Sequence, residues 1–260
     1  MFSLLSIYAM LGVALWLLGD RLAHHPPHGE AKRLPEEVVL RASDDVVLSG
    51  VWLPNPSADA TLLLSHGNGE NLDHLQSFLG ELHDAGFSVF SYDYRGYGRS
   101  EGRPTEKGIY RDIEAAWRHL TGSLGVPPSR VILLGRSIGS GPTLWLASRE
   151  KPGGVILESA FTSGQRTLFP IPIFPFDQFP NLKRVRDLHC PLLVIHGLND
   201  RIIPVRHGRE LFAAAPEPKF ALWVEGADHN DIFGVASELY LKALRDFGKR
   251  VVGAADRPSL

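Results

Sequence analysis

The chain has a single cysteine, Cys190, so no disulfide can form within it. That fits a reducing compartment. Cys190 stands before Pro191 at the mouth of an apolar run and reads as a buried structural thiol rather than a reactive one. There is no excess of either charge: the formal net charge is -2, which gives no reason to expect nucleic acid as a partner. No internal repeat is present, which argues against a solenoid or propeller. Charge is missing altogether from the first stretch, because nothing ionisable in a side chain except Tyr8 precedes Asp20.

What is present is ordinary globular material. Of the 260 residues, 44% are hydrophobic and 22% charged, enough for one large α/β domain with a sizeable core. The organisation expected is an N-terminal membrane anchor over 1–20, a linker over 21–35 and a catalytic-size domain over 36–255, with a short cap at about 162–188. The anchor rests on the apolar run from Phe2 to Leu18, at the short limit for a membrane-spanning helix. No clean small-residue cleavage site follows it, so a retained anchor is favoured over a buried helix and over a secretory signal whose cleavage would leave a secreted or periplasmic protein. Arg21, Lys32 and Arg33 follow the run, which places the catalytic domain of a single-pass protein on the cytoplasmic side. His24-His25-Pro26-Pro27-His28 through Pro35 reads as a solvated juxtamembrane spacer.

From Glu37 onward, strand and helix patterns alternate. Strands are expected at Glu37–Arg41, Val46–Leu53, Thr61–Ser65, Phe87–Tyr92, Arg130–Leu134, Gly154–Glu158, Leu192–His196 and Phe220–Glu225. Helices are expected at Leu72–Ala85, Lys107–Leu120, Pro142–Ser148 and Val235–Val251. Such alternation implies a mostly parallel, doubly wound sheet of about eight strands, with ligands bound beyond the carboxyl ends of the strands.

The motif that organises the rest is Gly135-Arg136-Ser137-Ile138-Gly139, a G-x-S-x-G pattern between an apolar strand and a helix. That context makes it a nucleophile elbow, with glycines where neighbouring backbone must pass close. A serine hydroxyl needs a base, and the base needs a carboxylate to orient it. Downstream, Asp200 follows one strand and His229 follows the next, in the order serine, acid, histidine. Ser137, Asp200 and His229 are therefore the candidate catalytic residues. Glu158 is the substitute acid, and His189, His196 and His207 are rival bases. For the oxyanion, the candidate donors are the N–H groups of Ile138 and of Asn68 in the His66-Gly67-Asn68-Gly69 loop, with Gly69 second.

Taken in order, His66-Gly67-Asn68-Gly69, Asp93-Tyr94-Arg95-Gly96-Tyr97-Gly98-Arg99-Ser100, Gly135-Arg136-Ser137-Ile138-Gly139, Glu158 to Ser163, His196-Gly197-x-x-Asp200 and Asp228-His229-Asn230 resemble the α/β-hydrolase superfamily. The chain is similar to its serine hydrolases with an N-terminal membrane segment, whose relatives include protein depalmitoylating thioesterases. The resemblance implies an α/β-hydrolase fold and a serine hydrolase of the carboxylesterase, lipase or thioesterase type, acting on a small acyl ester or thioester. It implies no metal and no organic cofactor. The Asp93–Ser100 motif is expected to shape a turn beside the site. Residues 162–188, apolar and rich in proline, suit a short cap touching an acyl chain or the bilayer surface. Gly67, Phe161, Phe169 and Phe174 are the candidate substrate contacts. A peptidase with the same triad and a non-catalytic binding protein on this fold are the alternatives.

Overall fold

The structure, a computed structural model, describes residues 3–27, 31, 33–169 and 171–255. Phe2 of the expected anchor, residues 28–30 and Lys32 of the expected linker, and Pro170 of the expected cap lie outside them.

Eight strands form one sheet in the order β1-β2-β4-β3-β5-β6-β7-β8. They are β1 Glu37–Arg41, β2 Val47–Leu53, β3 Thr61–Ser65, β4 Ser88–Tyr92, β5 Val131–Arg136, β6 Gly154–Glu158, β7 Leu192–Gly197 and β8 Lys219–Val224. β2 runs antiparallel to both β1 and β4, and from β4 to β8 every neighbour is parallel. Parallel strands have both faces covered by crossover helices, so they read as unbroken apolar runs. β3, β4 and β6 are accordingly buried at every position.

The helices are α1 Leu4–Ala23, α2 Leu72–Asp84, α3 Glu106–Arg118, α4 Ser140–Ala147, α5 Gly164–Leu168, α6 Asn181–Arg184, α7 Arg206–Ala214 and α8 Ile232–Ala255. Side chains alternate across the sheet. Leu62, Leu64, Ile132 and Leu134 pack with α2 and α8, whereas Leu63, Leu133, Leu157 and Val194 pack with α3, α4 and α7. α2 shows why the periodicity was readable: it buries Leu72, Leu75, Leu79 and Leu82 on one face, and Asn71 caps it by accepting from His74 N–H at 3.1 Å. Helix α4 starts two residues earlier than expected, because the elbow winds as a 3-10 turn, Ser137–Gly139, directly into it.

The N-terminal segment departs from expectation. No helix among the described residues is long and apolar enough to cross a membrane, so the single-pass anchor finds no support. Instead α1 lies against the cap. The Tyr8 ring stacks on Phe174 at 5.1 Å between centroids, and its hydroxyl donates to Ile173 O at 2.8 Å. Asp20 Oδ1 accepts from Glu106 N–H, at the start of α3, at 2.9 Å and from Gln178 Nε2 at 2.8 Å. The first-turn N–H groups of a helix lack partners within it, so a carboxylate there is stabilising.

The expected solvated spacer is corrected as well. His24 is buried, with its ring Nδ1 2.8 Å from Asp20 O, and burial pulls its pKa below the usual value. The cap is also more regular than its proline content suggested, since α5 and α6 sit at its two ends.

Candidate active site

Four strands deliver the site from their carboxyl ends. β3 leads into His66–Glu70, β5 into Ser137, β7 into Asp200 and β8 into His229. Register brings these ends level: Ser65 pairs with Gly135, and Gly197 with Val224.

Ser137 has φ +52°, the left-handed conformation that a nucleophile elbow imposes on a non-glycine residue. The flanking glycines are required by contact. A Cβ on Gly135 would lie 2.6 Å from Thr143 Oγ1 and 2.7 Å from Gly139 O, and one on Gly139 would run into the backbone of Ser65 and His66.

His229 Nε2 lies 3.0 Å from Ser137 Oγ, and His229 Nδ1 lies 2.8 Å from Asp200 Oδ2. Asp200 Oδ1 accepts from Ile202 N–H at 3.0 Å and Ile203 N–H at 2.7 Å, so all of its oxygen capacity faces donors. Burial opposes its charge, yet hydrogen bonds from His196 and His229 hold the carboxyl well below the usual carboxylate range. An ionised Asp200 fixes the proton of His229 on Nδ1 and leaves Nε2 free to accept from the serine.

The rival residues are placed elsewhere. Glu158 accepts from Tyr240 OH at 2.6 Å behind the sheet edge. His196 Nε2 faces Ile203 O at 2.7 Å and Asp200 Oδ2 at 3.2 Å, so it buttresses the acid loop instead of reaching the serine. His207 Nδ1 bonds Thr162 Oγ1 at 2.9 Å. Cys190 is half-buried, and burial pushes its thiol up to about 12.

The loop after β3 is pinned at His66, Gly67 and Asn68. Tyr94 OH donates to His66 O at 2.8 Å, and Gly67 N–H donates to Glu70 Oε2 at 2.8 Å. The Asn68 side chain is wholly engaged. Its Nδ2 donates to Ala23 O at 2.9 Å, and its Oδ1 accepts from His25 N–H at 2.8 Å and Tyr97 OH at 2.7 Å. With Gly67 N–H committed, the backbone N–H groups of Asn68 and Ile138 remain the candidates for an oxyanion. The Asp93–Ser100 motif supports this loop from below: Tyr97 reaches Asn68, and Asp93 Oδ1 accepts from Leu72 N–H at 2.9 Å at the start of α2.

A cavity of about 940 Å³ opens over these residues. Ser137, His229, Asn68, Ile138, Gly67, Phe161 and Phe169 all line it. Phe174 does not: it is buried behind the wall, stacked between Tyr8 and Phe176, and Phe176 faces the cavity in its place. Leu15, Gly19, Asp20 and Ala23 of α1 form one side. Sequence reasoning missed that wall; its only signal was small residues, Gly19 and Ala23, spaced one helical turn apart.

A twisted α/β sheet that carries a serine on a strained strand-to-helix turn, with a histidine and a carboxylate hydrogen-bonded in sequence behind it, defines a class of hydrolytic protein. Comparisons agree. The family described as serine aminopeptidase S33 matches residues 56–178, a span that includes Ser137 and ends before Asp200 and His229. The human alpha/beta hydrolase domain-containing protein 17B is 45% identical over 199 residues, covering 74% of this chain and 67% of that protein. The mouse protein 17C is 45% identical over 195 residues, covering 74% of this chain and 60% of its own length. Among solved structures, the Pyrococcus furiosus esterase Pf2001 superposes with a TM-score of 0.73 at 21% identity, covering 88% of this chain and 99% of the esterase, a likeness of fold. The chain belongs to the α/β-hydrolase superfamily and is a hydrolase of that family.

Proposed function

We propose that the protein is a serine hydrolase that cleaves carboxylic ester or thioester bonds of acyl, lipid-like substrates. The observation that carries this is the continuous hydrogen-bonded line Ser137–His229–Asp200 opening into the cavity. His229 Nε2 takes the hydroxyl proton as Ser137 Oγ attacks the acyl carbon. The oxyanion is received by the N–H groups of Asn68 and Ile138. The imidazolium then protonates the leaving alcohol or thiol, and a water activated by the same nitrogen releases the acid from the acyl-enzyme. Phe161, Phe169, Phe176 and Phe179 give the cavity an apolar wall suited to an acyl chain.

A peptidase with the same triad is less well supported. Its substrate amine would have to be received by Asp20, Glu106 or Asp177, each of which already spends an oxygen on holding α1, the cap and α3 together.

A fluorophosphonate probe tests the reading. Wild type should be labelled and Ser137→Ala should not; labelling of the alanine variant, or none of wild type, refutes it. Comparing p-nitrophenyl esters, acyl-CoA and aminoacyl anilides then separates esterase, thioesterase and peptidase.

Contact with a membrane surface is part of the same proposal. α1 exposes Ile7, Leu11 and Val13, and the neighbouring cap exposes Leu168 and Ile171. Wild type should co-sediment with phospholipid vesicles, and Leu11→Glu with Val13→Glu should release it; equal sedimentation of both would refute this.

A further inference from the structure

Arg136 lies between Gly135 and the nucleophile, and its side chain is only 15% exposed. It takes no part in the hydrogen bonds among Ser137, His229 and Asp200, yet it sits on the elbow and reaches the loops that carry Asn68 and His229. Nη1 donates to Glu70 Oε1 at 2.7 Å. Glu70 in turn accepts Gly67 N–H through its other oxygen at 2.8 Å, closing a link to the residue before Asn68. Nη2 reaches Asn230 O, next to His229, at 3.4 Å. Nε lies 3.3 Å from Glu158 Oε1, and Glu158 is held by Tyr240 from α8.

The guanidinium thus spans the elbow, the oxyanion loop and the histidine loop, and Glu158 fixes it from behind. A planar fork with five donors suits such a role, where an ammonium could satisfy only part of it. Glu70 does two things at once. It balances the buried cation, and it occupies the Gly67 N–H, which would otherwise compete with the Asn68 N–H for a developing oxyanion.

We propose that Arg136 and Glu70 act as a pair of positioning residues: together they set the distance between the serine, the oxyanion donors and the imidazole. The proposal rests on the serine hydrolase reading. Preorganised donors stabilise a transition state only if they are placed to within a fraction of an ångström, and a misplacement of about 1 Å costs on the order of 10²-fold in rate.

The test compares Glu70→Ala, Glu70→Gln, Glu70→Asp and Arg136→Lys on a p-nitrophenyl ester, with Tm measured alongside. Glu70→Ala should lower kcat by about 10²-fold while KM stays within about threefold, the pattern of an interaction realised in the transition state. Glu70→Gln offers one carbonyl acceptor to two donors and sets its NH2 against either Gly67 N–H or the guanidinium, so it should recover little of that loss. Glu70→Asp keeps the charge but falls one methylene short, and should lose about tenfold in kcat. Arg136→Lys should behave likewise. A Glu70→Ala protein with wild-type kcat overturns the proposal. So does a kcat loss in Glu70→Ala that Glu70→Asp shares in full, or that appears only with a matching collapse of Tm. Should the alanine protein not fold, wild-type kcat in Glu70→Asp overturns it equally. These outcomes all require a wild type that turns over ester. A wild type inert to ester and to the fluorophosphonate probe refutes the underlying reading and this proposal with it.

Discussion

Replacing Asp200 with asparagine removes one charge and no volume, and its consequence can be followed atom by atom. Oδ1 accepts two backbone N–H groups, from Ile202 and Ile203, so the asparagine carbonyl must take that side. Its NH2 then points where Oδ2 stood, toward His229 Nδ1 at 2.8 Å and His196 Nε2 at 3.2 Å. His196 Nε2 faces the carbonyl of Ile203 at 2.7 Å and so carries a proton, which leaves it in conflict with the new donor. His229 has to turn its Nδ1 into an acceptor, and that moves its proton to Nε2, facing Ser137. The serine then meets a donor where it needs an acceptor. A wrong-tautomer histidine in a triad costs about 10⁴ in kcat, or about 5 kcal/mol of barrier. The assay is kcat on a p-nitrophenyl ester, together with the rate of fluorophosphonate labelling. Both should fall by a similar factor, while KM moves little. Because the carboxyl is held well below its usual range, burial notwithstanding, by hydrogen bonds from His196 and His229, the wild-type acid stays ionised down to strongly acidic pH. The acid limb of the wild-type pH profile therefore does not belong to Asp200. An asparagine variant within tenfold of wild-type kcat, at wild-type Tm, would refute this account of the triad.

Four further outcomes follow from packing and titration. Gly139→Ala puts a Cβ against the backbone of Ser65 and 2.8 Å from His66 O, and should cost about 3 kcal/mol or more, lowering Tm by about 6–12 °C. Gly80→Ala, on α2 with nothing within 4 Å of the new Cβ, should raise stability by about 0.5–1 kcal/mol; a Gly139→Ala Tm within a degree of wild type would sink the close-approach argument. His207 is lowered to about 4, first by burial and then by Arg206, so its folded ring resists a proton that the unfolded ring accepts near the ordinary imidazole value of about 6.5. Stability present above that value should be lost as pH falls toward about 4, by about 3 kcal/mol at most, and His207→Gln should flatten the Tm–pH slope in that window. Cys190, pushed up to about 12 by burial, should react with a thiol reagent near pH 8 only after denaturant is added; rapid labelling of native protein would contradict that.

Much of the catalytic half was legible in the sequence, for a physical reason. The parallel strands are short apolar runs, and their carboxyl ends at Ser65, Arg136, Gly197 and Val224 are where the site loops begin. Asp200 and His229 could be chosen because each follows a strand. The contacts of the N-terminal segment were not legible, because an apolar helix has the same sequence signature whether or not a cap lies against it, and the Tyr8–Phe174 stack and the Asp20 contacts join residues far apart in the chain. Phe174 was misplaced for the same reason, since aromatic content does not say which side of a loop faces a cavity. The link from Arg136 to Glu70 was out of reach, because 66 residues separate the partners and neither belongs to a periodic pattern.

Asn68 spends its whole side chain on the segment leaving α1 and on Tyr97. A protein trimmed to begin after residue 27 would keep its sheet, its serine and its histidine, and would still lose the clasp beside the oxyanion. The natural-looking boundary for crystallisation is therefore the wrong one for enzymology: turnover numbers belong to the chain that keeps its first helix.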